Sequence, residues 1–341
     1  MKRIGIVCKP KKDPAGPVLA ELVRWLKDRG RGVLLDRTTA ALIGRKSSHR
    51  REDIPGRVDL LVVLGGDGTM LSMARMALGL NVPILGVNLG SLGFLTEVPL
   101  EHLYPALERI FAGEYGIEER PMLKGRVLRG GKAVFEHEVL NDVVISKGAL
   151  ARIIELESFV DGRFVTTYRA DGLIISSPTG STGHSLSAGG PILMPSLPAI
   201  ILNPICPFTL SNRPLVLPDD VVVEVVLTTP DQDVHVTLDG QVGCALQVRD
   251  VVEIQKGPHK VRLINLPEND YFSLLRNKLG WGVQLGEVNH QGPSTQGGGG
   301  IRAAKKRSTR IGKRKKAVDG PAGPDGKLGR GRKIGKGKSS A

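Results

Sequence analysis

Five residues, Gly65-Gly66-Asp67-Gly68-Thr69, end the apolar run Leu61–Leu64, and Met70, Leu71, Met73, Ala74 and Ala77 follow at helical spacing. Glycine backbone can turn its N–H groups toward an anion, and the positive end of a following helix adds to the attraction. Gly65, Gly66, Gly68 and Thr69 therefore make a candidate phosphate-approach loop. It has neither the Lys of a Walker A loop nor the G-x-G-x-x-G spacing. The carboxylate is the informative part, because an acid repels phosphate unless it has another task. Two tasks fit: accepting a proton from an attacking hydroxyl, or holding Mg²⁺ against the phosphates. The purely structural alternative is a tight strand-to-helix turn with Asp67 capping the helix.

A second stretch, "YRADGLIISSPTGSTGHSLSAGGPI" at 168–192, packs five glycines, five serines, two threonines and an Arg-x-Asp into 25 positions. Small hydroxyl-bearing residues leave space and offer donors and acceptors, which suits a polar ligand such as a ribose or adenine. An ordinary Ser- and Gly-rich surface loop is the alternative, but long loops without structure of their own are uncommon inside compact domains unless functional.

The elements that must position these residues fall into two groups. Up to about residue 119, short β-rich runs ("RIGIVC", "GVLLD", "DLLVVLG", "VPILGVN") alternate with helical patterns at 16–29, 69–79 and "LEHLYPALERIFAGEY". That alternation predicts an α/β domain over 1–119 with a doubly wound parallel sheet, and "LGGDGT" lies at a strand's carboxyl end, where such sheets collect ligands. From 120 to 269 strand follows strand, with Asp161-Gly162 as a hairpin signal and a Gly, Ser and Pro-rich interruption at 178–200, which predicts an all-β second domain. "DYFSLLRNKLGWG" reads as a helix over 270–281 packing back onto the body.

The formal charge of +14 in a chain of 341 residues suggests nucleic acid, but its location argues otherwise for the folded part. Residues 290–341 carry 15 Lys or Arg against 2 Asp, leaving 33 basic and 32 acidic side chains before them. This tail has almost no large apolar residues, so disorder is expected, with contact to a polyanion or nucleic acid as its candidate role. Cys8, Cys206 and Cys244 lack metal or disulfide spacing and are expected to be buried small hydrophobes. No apolar run approaches the ~20 residues of a membrane span, and Met1-Lys2-Arg3 leads straight into a strand pattern, so a cytoplasmic location and no membrane contact are expected.

Together, "GGDGT", "NLGSLGFL" at 88–95, "LNDVV" at 140–144, "YRADG", "SPTGSTGHSLSAGGPI", "LDGQ" at 238–241 and "LRNKLGWG" at 275–282 resemble, in order, the motifs of NAD kinases. The resemblance covers most of residues 1–283. It implies transfer of a phosphoryl group from ATP, or another donor such as polyphosphate, to the 2'-hydroxyl of the adenosine ribose of NAD, forming NADP. Mg²⁺ or another divalent cation is expected with ATP, and a homo-oligomer, dimer or tetramer, is expected as the assembly. By the same resemblance Asp67 is the general base. NAD is implied to contact Asp67, Gly68, Asn141, Asp142, Arg152, Arg169, Asp171, Thr182, Gly183, His184, Ser185, Leu186, Ser187 and Gln241, with Asp171 reaching it from a neighbouring subunit. No metal ligand is implied.

Without the family, Asn141-Asp142 would read as an Asx turn, Arg152 as an exposed strand residue, and Arg169 with Asp171 as an ion pair at a turn. The sequence departs from the family pattern at Gly183, where Ala is usual, and at His184, where Tyr is common. An imidazole can still stack and hydrogen-bond, but it becomes a cation in mild acid, so weaker binding in acid is expected. Asp142 stands where Glu is frequent. "GGDGT" is shared with diacylglycerol and sphingosine kinases, an alternative that the hydroxyl-rich 176–190 stretch disfavours because it lines an acyl groove poorly. A nucleic-acid-binding module recruited by its tail is the alternative from another class.

Overall fold

The computed structural model describes residues 1–9, 15–90, 93–149, 152–230, 233–267 and 270–281; the basic tail and Gly282 lie outside the described residues. The first part contains β1 (Arg3–Cys8), α1 (Ala15–Asp28), β2 (Gly32–Leu35), α2 (Arg37–Ala41), β3 (Leu60–Gly65), α3 (Asp67–Met76), β4 (Ile84–Asn88) and α4 (Leu103–Ala112). Its four strands are parallel in the order β2-β1-β3-β4. All six residues of β3 are buried, as a parallel strand covered on both faces requires. Ile4, Leu60 and Val62 pack toward α1 and α4, whereas Leu61 and Val63 pack toward α3. The sheet is therefore doubly wound. In α1 the spacing of Leu19, Leu22, Val23 and Leu26 presents one apolar face, and burying each such side chain stabilises by roughly 1.5–3 kcal/mol. The short α2 starts at Asp36, whose carboxylate accepts from the Thr38 and Thr39 N–H groups.

The parallel sheet continues beyond β4. Strand Val251–Asn265 lies alongside it (Leu263 opposite Ile84) and pairs antiparallel with Gly116–Arg129 and with Val223–Leu227. Ile154–Val160 and Arg163–Ala170 extend the sheet further, and with Val98–Pro99 beside β4 and Lys132–Val139 beside Gly116–Arg129 it has eleven strands among the described residues. The expected boundary between residues 119 and 120 thus falls inside a single strand. Long-range pairing joins the halves, and local patterning carries no trace of it.

A second, six-stranded antiparallel sheet runs in the order Leu215–Pro218, Ala199–Ile205, Gly172–Ser176, Asp142–Lys147, Val234–Leu238, Val242–Ala245. Its Val143, Ile145, Leu173 and Ile175 meet Leu156, Val223, Val225 and Ile254 of the larger sheet in one core. The Asp161-Gly162 hairpin forms as its dipeptide predicts, with φ of 49° and 71°.

The 178–200 interruption is more ordered than its composition suggests: Thr179–Thr182 forms a 3₁₀ turn and His184–Ser187 one helical turn. The last helix, Tyr271–Leu279, is capped by Asp270, ends at Gly280 with φ 67°, and buries Leu274 and Leu275. Tyr271 donates to the Leu193 carbonyl. Of the three cysteines, all free thiols, only Cys8 is fully buried; Cys206 is exposed in a turn at φ 44° and Cys244 is half-buried, which corrects the expectation for those two.

Candidate active site

Asp67 begins α3, but its side chain does not cap that helix: Gly66 is the N-cap and no side-chain cap bond is made. The carboxylate turns instead to the segment after β4. Oδ2 accepts from the Phe94 N–H (2.8 Å), and Oδ1 accepts from the Leu95 N–H (3.0 Å), the Thr96 N–H (3.1 Å) and the Thr96 hydroxyl (3.1 Å). Asn88, at the end of β4, donates to the Thr96 hydroxyl oxygen at 2.9 Å, so a buried amide orients the hydroxyl that meets Asp67. A Cβ at Gly93 would overlap Asp67 Oδ1, so the approach of this segment depends on the bare backbone there. Oδ2, with one bond, keeps acceptor capacity for a further proton.

The neighbouring glycines serve space and not strain. Gly65, Gly66 and Gly68 are not among the residues at positive φ. A Cβ on Gly65 would press on Thr69 Oγ1 at 2.7 Å, while at Gly66 and Gly68 nothing among the described residues lies within 4 Å. Those two positions face open space, which lets another molecule approach the backbone closely.

The β-rich half supplies a small cleft, about 200 Å³, lined by Asn141, Asp142, Val144, His184, Thr237, Asp239 and Gly240. Asp142 opens the strand Asp142–Lys147 and is buried; that burial, followed by the charge of Asp239, pushes its carboxyl up to about 7. Asp239 is also pushed up by burial, against the pull of the N–H groups of Leu140, Asn141 and Asp142, which donate to it at 3.0, 2.8 and 3.2 Å. The Asn141 carbonyl accepts from the Ser177 N–H (2.8 Å), and a Cβ at Gly180 would collide with it. The Asn141 Oδ1 is buried and has no hydrogen-bond partner among the described residues, an acceptor that calls for a donor from elsewhere.

Gln241 bridges the halves. Its amide N–H donates to the Gly68 carbonyl at 2.6 Å and its Oε1 accepts from Arg75 at 3.0 Å, so the turn that borders the small cleft is tied to the glycine loop. Asn141, Asp142 and His184 come together as the sequence predicts; Thr182, Gly183 and Leu186 are half-buried beside them, and His184 and Ser187 are exposed. Ser185 is fully buried and accepts from Asn203 through its carbonyl and hydroxyl oxygens, so it supports the turn from behind. At Gly183 an added Cβ would sit 3.3 Å from Asn141 Nδ2, so the glycine gives that amide room.

Arg169 and Asp171 lie at the opposite end of the strand Gly172–Ser176 from Ser176, which faces Asp142. They do not pair with each other. Arg169 pairs with Glu155 at 3.1 Å and Asp171 with Lys147 at 3.5 Å, because the strand register offers those partners first. Arg152 is exposed. Sequence reasoning overlooked the roles of Asn88, Thr96 and Asp239, although the first opens "NLGSLGFL", the second directly follows it and the third sits in "LDGQ". Among the described residues no three His, Cys, Asp or Glu side chains are grouped to hold a metal ion. No helix among them is long and apolar enough to cross a membrane.

Comparison with known proteins agrees with this geometry. The ATP-NAD kinase N-terminal domain family matches residues 4–115 and the ATP-NAD kinase C-terminal domain family matches residues 140–266. The NAD kinase of Syntrophotalea carbinolica is 51% identical over 283 residues, covering 83% of this chain and 99% of that protein. The NAD kinase of Geobacter metallireducens is 51% identical over 282 residues, with the same coverage. Among solved structures, yeast NADH kinase complexed with NADH superposes with a TM-score of 0.76 at 28% identity, covering 85% of this chain and 90% of that one. An NAD kinase from Archaeoglobus fulgidus in complex with ATP gives 0.65 at 26%, covering 82% and 98%. With two family domains matched in sequence order and relatives aligned almost end to end at half identity, this chain belongs to the NAD kinase family.

Proposed function

We propose that the protein transfers the γ-phosphoryl group of ATP to the 2'-hydroxyl of the adenosine ribose of NAD, forming NADP and ADP. The observation that carries this reading is the hydrogen-bonded path from the Gly68 carbonyl through Gln241 and the 239–241 turn to Asn141 and Asp142. It makes one cleft of a loop open to phosphates and a pocket with an unpaired amide oxygen. Adenosine occupies the Asn141 side, where Asn141 Oδ1 accepts from the base and Asp142 accepts from ribose hydroxyls, with Thr182, Gly183, His184 and Ser187 beside it. Asp67 Oδ2 takes the 2'-hydroxyl proton as the ribose oxygen bonds to the γ-phosphorus and the bond to the β-phosphate oxygen breaks. The 94–96 backbone fixes the carboxylate, so the proton transfer needs no rearrangement of its acceptor.

A divalent cation accompanying ATP would neutralise charge on the nucleotide's phosphates beside the open backbone at Gly66 and Gly68. Arg169 and Asp171 act on a neighbouring subunit's dinucleotide, which accounts for their distance along the strand from Asp142 and makes the active assembly a homo-oligomer.

The test is a scan of ATP and polyphosphate against NAD and NADH, with NADP or NADPH as readout. NADP formation from NAD and ATP is expected, with diacylglycerol and sphingosine left unphosphorylated. Lipid phosphorylation without NADP would overturn the reading. For the shared site, mixing Asp67→Asn subunits with Asp171→Asn subunits should recover activity that neither has alone; no recovery removes the neighbouring-subunit role.

A further inference from the structure

Four hydrogen bonds converge on Asp239, a residue in the lining of the small cleft whose carboxylate is already occupied by backbone donors. Asp239 Oδ1 accepts from the N–H groups of Asn141 and Asp142, Oδ2 accepts from the N–H of Leu140, and the Asp239 N–H donates to the Asp142 carbonyl at 2.9 Å. Almost a hundred residues of chain separate the partners. Asp239 is held at φ 52° and Gly240 at φ 62°, a tight left-handed turn between the strands Val234–Leu238 and Val242–Ala245. A non-glycine residue persists in that conformation where its surroundings over-determine it, and these four bonds do so. Two residues on, Gln241 grips the Gly68 carbonyl and is itself held by Arg75.

We propose that Asp239 is a positioning residue for the phosphoryl-transfer reaction: it fixes the backbone of 140–142 so that Asn141 and Asp142 present their side chains to NAD in register with the loop that Gln241 holds. The inference rests on the NAD kinase reading of this cleft. A carboxylate suits the task because it accepts on both oxygens. An amide would turn a donor toward the Leu140 N–H, and an alanine would leave three N–H groups unpaired, those of Leu140 and Asp142 buried. The effect should therefore appear in NAD binding, through residues that Asp239 never lets relax, and much less in ATP binding.

The experiment compares wild type, Asp239→Asn and Asp239→Ala in the full chain, measuring kcat, KM for NAD, KM for ATP and the thermal midpoint. Asp239→Ala should raise KM for NAD at least tenfold with KM for ATP within about twofold. Asp239→Asn, which keeps the two bonds to Oδ1, should fall between it and wild type, with KM for NAD raised at least threefold. If Asp239→Ala does not fold, the Asn variant decides alone. A lowered midpoint with KM for NAD unchanged in the Asn variant overturns the proposal, as does an equal rise in both KM values. Absence of NADP formation by wild type would instead bring down the kinase reading itself, an outcome the variants cannot mimic.

Discussion

Two carboxylates, one on each side of the Gln241 bridge to the Gly68 carbonyl, sit in opposite circumstances. Asp67, on the α/β side, receives four donors from residues 94–96 and stays partly open to solvent. Asp142, on the β side, is buried against a second carboxylate and is pushed up to about 7. The same side chain is thus given two characters by its setting: one is fixed in direction by a ring of N–H and O–H groups, the other is made sensitive to protons near neutrality. The difference between the two lies in the supply of donors around each carboxylate.

The largest expected effect breaks the Asp67 side of this contrast. Asp67→Asn removes the proton acceptor and turns a donor toward one of the N–H groups of 94–96, so kcat should fall by at least about 10² to 10⁴, with NAD affinity changing far less. Near-normal turnover would leave the residue only its structural bonds to 94–96. Next comes Gly93→Ala, whose Cβ would overlap Asp67 Oδ1 and drive the donor segment away. A displacement of about 1 Å can cost on the order of 10² in rate, so kcat should drop by about one to two orders of magnitude while Asp67 itself is intact. Unchanged kcat would mean that the donor ring does not aim the carboxylate.

The Asp142 side is sharpened by pH. Burial, and then Asp239, raise Asp142 from 3.8 to about 7 in the folded chain. A raised carboxyl contributes stability that is full below about pH 4 and is lost as pH climbs through 7, because the unfolded chain ionises first. Asp142→Asn has no proton to release, so its thermal midpoint should gain on wild type steadily between pH 4 and pH 8. Parallel midpoint curves for the two proteins would remove the proton-sensitive character of this residue. The groups around it are Asp239 and His184 in the cleft, with Arg75 acting on Asp239, so the difference should be measured at fixed ionic strength. The smallest effect belongs to the basic tail: ending the chain after Asn289 should leave kcat for NAD near wild type while removing salt-sensitive retention on DNA. Equal elution of both forms from a DNA column would deny the tail that role, and loss of NAD phosphorylation would move part of the catalytic unit beyond 289.

Much of this arrangement was legible in the residues themselves. The runs "RIGIVC" and "DLLVVLG" are apolar at consecutive positions because both faces of a parallel strand are covered, and Asp161-Gly162 turns a hairpin because both residues accept positive φ. The continuity of the large sheet was not legible, since Leu263 opposite Ile84 is a pairing across nearly 180 residues that no local period encodes. In the site, Asp67 stood out by its glycine setting, but the donors at 94–96 are backbone groups, which every sequence possesses. Asp239 was hidden for a related reason: "LDG" reads as a turn, and only the fold reveals that the turn's carboxylate serves a strand start a hundred residues away. The supporting bonds of Ser185 to Asn203 were equally illegible, because a serine in a hydroxyl-rich stretch shows nothing of a partner eighteen residues away.

The strands Gly116–Arg129 and Val251–Asn265 run side by side from the α/β half into the β-rich half, and their ladder is interrupted only between Lys256 and Lys260. The two halves are consequently joined by a double-stranded beam and not by a tether. A beam resists swinging, since each paired residue along it would have to give up its ladder bond for the halves to part. Its compliance is concentrated at the irregular joint around Gly257-Pro258, where the proline has no N–H to contribute.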